Sequence, residues 1–160
     1  LAGEQALVQL VSGGVGQADK VADLFAGVGT FSFALAKGTR VTSVEGAGDQ
    51  GEALIAARNA ARRSGIEVEV RDLERRALSV EELSAFDAVI FDPPRVGAAR
   101  QVDNLAVSAV PRIVAVSCNP ATFARDAATL ADAGYHLQSV TPVDQFPWSR
   151  HLELVAVLQR

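Results

Sequence analysis

The chain has 160 residues, a formal net charge of −4 and an apolar fraction of 49%. That is the size of one domain with a real core, and its overall charge excludes binding nucleic acid by bulk electrostatic attraction. A single Cys excludes an internal disulfide framework, no apolar run approaches the roughly 18 residues of a membrane helix, and no signal peptide is recognisable, so a monomeric cytoplasmic domain is the expectation. The sequence begins at Leu1 and contains no Met, which reads as the C-terminal part of a longer protein. In chain order, the first fifteen or so residues read as a helix leading into the loop "GGVGQADK". "KVADLF" reads as a strand and "GTFSFALA" as the start of a helix. "RVTSVE" is a strand, and "DQGEALIAARNAARRSG" is a long helix closed by Gly65. "IEVEVRDL" alternates with period two, "VEELSAF" is a short helix, "DAVIFD" a buried strand and "QVDNLAVSAV" a helix. "RIVAVSC" is a strand, "ATFARDAATLADAG" a helix closed by Gly134, and "HLQSVTPVD" and "HLELVAVLQR" are two final strands.

Alternating strands and helices predict a single α/β domain, a doubly wound and mostly parallel Rossmann-like sheet with helices on both faces. No helix separates the last two strands, so the last strand runs antiparallel. Of the fifteen basic residues only two are Lys. Arg62, Arg63, Arg71, Arg75 and Arg76 lie close in sequence, and read either as a solvated helix face and loop or as a local phosphate-binding patch.

"DLFAGVGTF" follows the first strand and opens a helix. Phe25, Gly27, Gly29 and Thr30 belong to a loop whose glycines allow a tight turn and close approach of a ligand. A dinucleotide fingerprint would place a third glycine at Ser32. Glu45 ends the second strand about 20 residues on, where a carboxylate suits a pair of ribose hydroxyls. Asp72, at the tip of the third strand, suits an adenine amino group. With Asp23 ahead of the loop, this set fits S-adenosyl-L-methionine better than a nicotinamide dinucleotide. Asp23 either serves the cofactor or caps the helix.

"FDPPR" ends the fourth strand, and its two prolines make a stiff exit that holds Asp92 in the crevice where such sheets bind ligands. Asp92 reads as a site residue or a loop cap. Arg95 beside it reads as a substrate contact or a surface charge. The one thiol, Cys118, sits at the tip of the fifth strand in "SCNP", next to Asn119, rather than packed mid-strand. A thiolate adds to soft, polarised carbon and departs readily, and C6 of a uracil is such a centre. Addition there makes C5 nucleophilic, and a base must later remove the C5 proton. Glu153 opens the antiparallel last strand, which brings it to the edge carrying Cys118, and its Leu neighbours favour the raised pKa of a general base. His151 shares its face and reads as an orienting group.

"DLFAGVGTFSFALA", "FDPPRVG", "SCNPATFARD" and "FPWSRHLELV", in this order, resemble the RNA (uracil-5-)-methyltransferases from about Val21 to Leu158. The resemblance implies a class I methyltransferase fold, S-adenosylmethionine as cofactor, no metal, Cys118 as nucleophile and Glu153 as base. It also implies Asp23, Phe25, Gly27, Gly29, Thr30, Glu45, Asp72 and Asp92 around the cofactor, and Asp92, Arg95 and Asn119 around a uridine of rRNA or tRNA. Members of that family carry N-terminal RNA-binding parts, an upstream F-x-Q-x-N segment and, in some, an iron–sulfur cluster. They often have His where this chain has Trp148. The chain is therefore expected to lack most of the RNA grip, to bind cofactor weakly and to methylate poorly alone. Other chemistries open to these residues are an amino-methyltransferase using D-P-P, an RNA cytosine-C5 methyltransferase, and a catalytically silent RNA- or protein-binding module.

Overall fold

The alternation read from the sequence recurs in the computed structural model, which describes residues 2–46, 48–144 and 152–160. Helix α1 (Ala2–Val15) precedes β1 (Lys20–Leu24), followed by α2 (Thr30–Leu35), β2 (Arg40–Glu45), α3 (Gly48–Ala60) and β3 (Ile66–Val70). The second half runs α4 (Val80–Leu83), β4 (Ala88–Phe91), α5 (Ala99–Val107), β5 (Arg112–Ser117), α6 (Pro120–Asp132), β6 (His136–Val143) and β7 (Glu153–Gln159). The strands form one sheet in the order β3-β2-β1-β4-β5-β7-β6. β1 to β5 pair in parallel. β7 enters between β5 and β6, antiparallel to both.

The burial pattern explains why these segments are strands. Every residue of β4 is buried, as are five of the six in β5, and both consist largely of apolar residues that pack well on a pleated surface. Leu7, Val11 and Val15 of α1 and Phe31 of α2 pack on one face of the sheet, against Val21, Ile90, Val114 and Val155. Val102 and Leu105 of α5 and Leu130 of α6 pack on the other face, against Leu24, Val89, Ile113 and Ala156. Each fully buried aliphatic side chain contributes about 1.5–3 kcal/mol. α4 begins with a capping box, in which Ser79 and Glu82 satisfy each other's backbone N–H groups.

Two expectations change. Gly65 does not close α3: the left-handed position is Arg62 (φ 50°), and Gly65 instead starts the approach to β3, its carbonyl accepting from Val41 N–H at 2.8 Å. Gly134 (φ 94°) does end α6 as expected. The five neighbouring arginines do not form one patch. Arg62 and Arg63 lie at the C-terminal end of α3, where cations suit the helix dipole. Arg71 is buried and clamps the loop after β3, donating to the carbonyls of Arg76 and Ala77 (both 2.8 Å) and to Glu82 (2.7 and 3.0 Å). This pairing holds the Glu82 carboxyl down at about 2.

Gly29 (φ 91°) precedes α2, and a Cβ there would collide with Leu54 of α3. Gly29→Ala combines that clash with a left-handed backbone. It should cost about 2–3 kcal/mol of stability, read from urea unfolding.

Candidate active site

The loops at the carboxyl ends of β1, β2, β4 and β5 border two neighbouring cavities. The first, about 440 Å³, is lined by Phe25, Gly27, Thr30, Asp92, Cys118 and Glu153, among others. The second, about 380 Å³, is lined by Phe25, Glu45, Gln50, Asp72, Asp92 and Pro94, among others. Phe25, Gln50 and Asp92 belong to both, so the two cavities meet along one wall. Their sizes are in the range of small-molecule sites.

Strand register explains the meeting of thiol and carboxylate. Ser117 of β5 is paired with Leu154 of β7. One step outward on each strand lie Cys118 and Glu153, which therefore leave the sheet side by side although 35 residues separate them. Cys118 and Glu153 are both partly buried. Asp92 leaves β4, the neighbour of β5, in the same direction. Burial, then the nearby Glu153, then Asp23 push the Asp92 carboxyl up to about 7.

The glycine loop is held from below and from the side. Gly27 (φ 56°) donates its N–H to Glu45 Oε2 at 2.7 Å, so the acidic tip of β2 pins the loop and also faces the second cavity. Phe25 adopts φ 61°, unusual for a bulky residue, and borders both cavities. Below the loop, Ser32 Oγ donates to Asp23 Oδ2 at 2.5 Å and lies 2.6 Å from Ser43 Oγ. Asp23 and Ser43 are opposite each other in β1 and β2. Ser32 thus stands where a dinucleotide fingerprint has glycine because two buried polar side chains need its hydroxyl. Burial raises the Asp23 carboxyl to about 6, against the lowering effect of Ser32.

Several expected site residues are placed differently. Asp23 is wholly buried and borders neither cavity, nor does it cap α2, whose N-cap is Gly29 without a side-chain bond. Gly29 packs on α3 and borders neither cavity. Asp72 borders the second cavity, but its Oδ1 already accepts from Glu74 N–H (3.0 Å) and Arg75 N–H (3.1 Å). Asn119 caps α6 rather than lining a cavity, because Oδ1 accepts from Ala121 N–H at 3.1 Å. The Arg95 side chain is exposed and borders neither cavity. His151 and Trp148 lie outside the described residues. Gln50, and Glu4 and Leu7 of α1, border the site without having been read from the sequence. Nothing local marks them: they reach the site only because α1 and the first turn of α3 fold over the loops.

The first cavity thus carries Glu4, Asp92 and Glu153, and the second Glu45 and Asp72. Carboxylates in this number favour a cationic ligand with hydroxyls and disfavour a pyrophosphate. Doubly wound sheets of this kind are found in solved methyltransferases. Magnesium protoporphyrin IX methyltransferase of Synechocystis PCC 6803, solved with bound SAM, aligns over 99% of this chain and 81% of its own with TM-score 0.74 and 17% identity. The two chains therefore share the class I methyltransferase fold. The family described as tRNA (Uracil-5-)-methyltransferase matches residues 11–160, and the chain belongs to it. An uncharacterized RNA methyltransferase of Rhizobium meliloti is 52% identical over 98% of this chain and 38% of its own length. The 23S rRNA (uracil(1939)-C(5))-methyltransferase RlmD of Chromohalobacter salexigens is 42% identical over 89% of this chain and 30% of its own. The Pyrococcus abyssi tRNA (uracil-54, C5)-methyltransferase, solved with S-adenosyl-L-homocysteine, aligns with TM-score 0.86 and 36% identity over 97% of this chain and 38% of that one. The chain spans about two fifths of the length of the first of these relatives.

The raised Asp23 and Asp92 carboxyls have a consequence for stability. A carboxyl whose folded pKa exceeds its unfolded value stabilises the fold below the unfolded value and loses that contribution as pH rises through the folded one. For Asp23 the window is from about 4 to above 6, and the full effect is about 3 kcal/mol. The loss of Glu82 pairing lies below pH 4.5 and so falls outside it. Urea unfolding at pH 5 and pH 8 should show the native chain more stable at pH 5. Only the part of the Asp23 window above pH 5 is sampled, so Asp23→Asn should remove about 1.4 kcal/mol of that difference.

Proposed function

We propose that the chain is the catalytic domain of an RNA methyltransferase that modifies C5 of a uridine in rRNA or tRNA. The observation that carries this reading is the convergence of Cys118, Glu153 and Asp92 on one cavity, next to a second cavity with the features of a nucleoside site. The cofactor is S-adenosyl-L-methionine. When bound, it supplies the electrophilic methyl group that C5 of the base takes up. Its ribose hydroxyls would be held by Glu45. Its adenine would lie beside Asp72 and Pro94, and its amino acid part would lie near Gly27 and Thr30. The sulfonium charge suits the carboxylates around the first cavity.

The protein's own groups perform the rest. The Cys118 thiolate adds to C6, forming a C–S bond and moving the C5–C6 π electrons toward O4. Asp92, whose carboxyl is raised to about 7, can in its protonated form donate a hydrogen bond to the oxygen that gains charge. With C5 methylated, the Glu153 carboxylate removes the C5 proton. The C–H electrons restore the C5–C6 double bond and expel the thiolate, so the enzyme returns unchanged apart from one proton. The target base must leave its stack or be presented in a loop to reach this cavity. An amino-methyltransferase on the same fold would have no use for the thiol.

The test uses a short RNA with 5-fluorouridine at the target position. Fluorine at C5 cannot be removed by a base, so the adduct persists. Incubation with S-adenosylmethionine should raise the intact mass by one RNA and one methyl group. Cys118→Ala should abolish that increase, and an adduct that survives in Cys118→Ala refutes the mechanism. On unmodified RNA, Glu153→Gln should form adduct but lower its release by roughly 10²–10⁴-fold, the range of a lost general base. Glu45→Gln should weaken cofactor binding in calorimetry by about tenfold, equivalent to about 1.4 kcal/mol.

A further inference from the structure

Asn119 follows the reactive thiol in the chain, and its amide touches two loops from different strands. Oδ1 accepts from Ala121 N–H at 3.1 Å and caps α6. Nδ2 donates at 3.0 Å to the carbonyl of Arg95, which lies in the loop after β4. That loop carries Asp92, so one amide ties the Asp92 loop to the Cys118 turn. A second fastening lies further along the same loop. Gly97 (φ 82°) sits against the Arg125 guanidinium, where a Cβ would collide, and Arg125 is itself held by Asp126 at 2.7 and 2.9 Å. Gly97 N–H closes the turn by donating to the Pro94 carbonyl at 2.8 Å. Around the thiol, Asn119 N–H donates to Ser117 Oγ at 3.1 Å, and Thr122 Oγ1 donates to the Asn119 carbonyl at 3.1 Å.

We propose that Asn119 is a positioning residue, whose side-chain amide clasps the Asp92 loop to the Cys118 turn and sets the approach of the thiol to the target base. It borders neither cavity and acts through Cys118 and Asp92. Capping alone does not account for it: Ser or Asp caps a helix equally well, but neither offers the second, donating arm that reaches Arg95. Covalent addition tolerates little displacement, and a misplacement of about 1 Å costs on the order of 10²-fold in rate. The proposal rests on the uracil reading above for its reaction arm, and on the thiol alone for its second arm.

Asn119→Ser and Asn119→Ala separate the two duties of the side chain. Ser keeps the cap but cannot span to the Arg95 carbonyl; Ala loses both. The melting temperature of Asn119→Ser should stay close to that of the native chain, and that of Asn119→Ala should fall by several degrees. Cys118 is the chain's single Cys, so iodoacetamide labelling reports on it alone. With the clasp gone, the loop after β4 is no longer fastened to the turn that carries the thiol, and Asn119→Ser should be alkylated several-fold faster. Its adduct with the 5-fluorouridine RNA should form at least about tenfold more slowly, with cofactor affinity unchanged. Opposite movements of the two rates in a variant of native stability are what a purely structural role does not produce. An adduct rate equal to the native one in Asn119→Ser overturns the proposal. If the native chain forms no adduct, labelling decides alone: faster labelling of Asn119→Ser supports the clasp, and an equal or slower rate overturns it.

Discussion

The antiparallel entry of β7 between β5 and β6 is the constraint on which the rest of the site depends. A parallel last strand would deliver its first residue to the opposite edge of the sheet. Antiparallel pairing delivers Glu153 to the edge where β4 and β5 end, and the Ser117–Leu154 register sets it beside Cys118. The register is not free to slip, because a shift of one residue would turn Leu154, Ala156 and Leu158 out of one core and Val155 out of the other. The same apolar alternation that holds β7 in the sheet therefore fixes the placement of Glu153 beside Cys118.

The two halves of the site solve different electrostatic problems. At the second cavity one carboxylate, Glu45, holds the glycine loop by an N–H bond. Asp23 lies underneath, its carboxyl raised by burial to about 6, with Ser32 bonded to its Oδ2 and Ser43 bonded in turn to Ser32. At the first cavity Asp92 and Glu153 stand together, and the nearby Glu153, after burial, helps to raise the Asp92 carboxyl to about 7.

The loops that border the cavities are stiff for identifiable reasons. Pro93 and Pro94 restrict the exit from β4, Gly97 turns it back under Arg125, and Asn119 fastens it to the start of α6. Arg71 does the same for the loop after β3, through Glu82 and two carbonyls. Of the five arginines close in sequence, Arg71 is the internal fastening, while Arg62, Arg75 and Arg76 are exposed to solvent.

The sequence alone determined the order of strands and helices, the antiparallel last strand, the acidic tip Glu45 and the position of Cys118 at a strand tip, because each is written in local periodicity, in proline and glycine punctuation, or in the residue at a strand end. Glu153 was legible for a subtler reason: a carboxylate inside an apolar strand has few structural uses. The closing of α3 at Arg62 rather than Gly65 was not legible, since the left-handed residue is chosen by how the chain must turn to reach β3. Asn119, Arg95 and Asp23 have the residue types and positions of contacts, yet the Asn119 amide caps α6, the Arg95 side chain is exposed and the Asp23 carboxyl is buried with Ser32, while Gly29 lies where a Cβ would meet Leu54 of α3. Gln50, Glu4 and Leu7 border the cavities without any local mark. Only the tertiary structure decided these, because which atom of a polar side chain faces a ligand depends on groups distant in sequence that compete for the same hydrogen bonds and the same space.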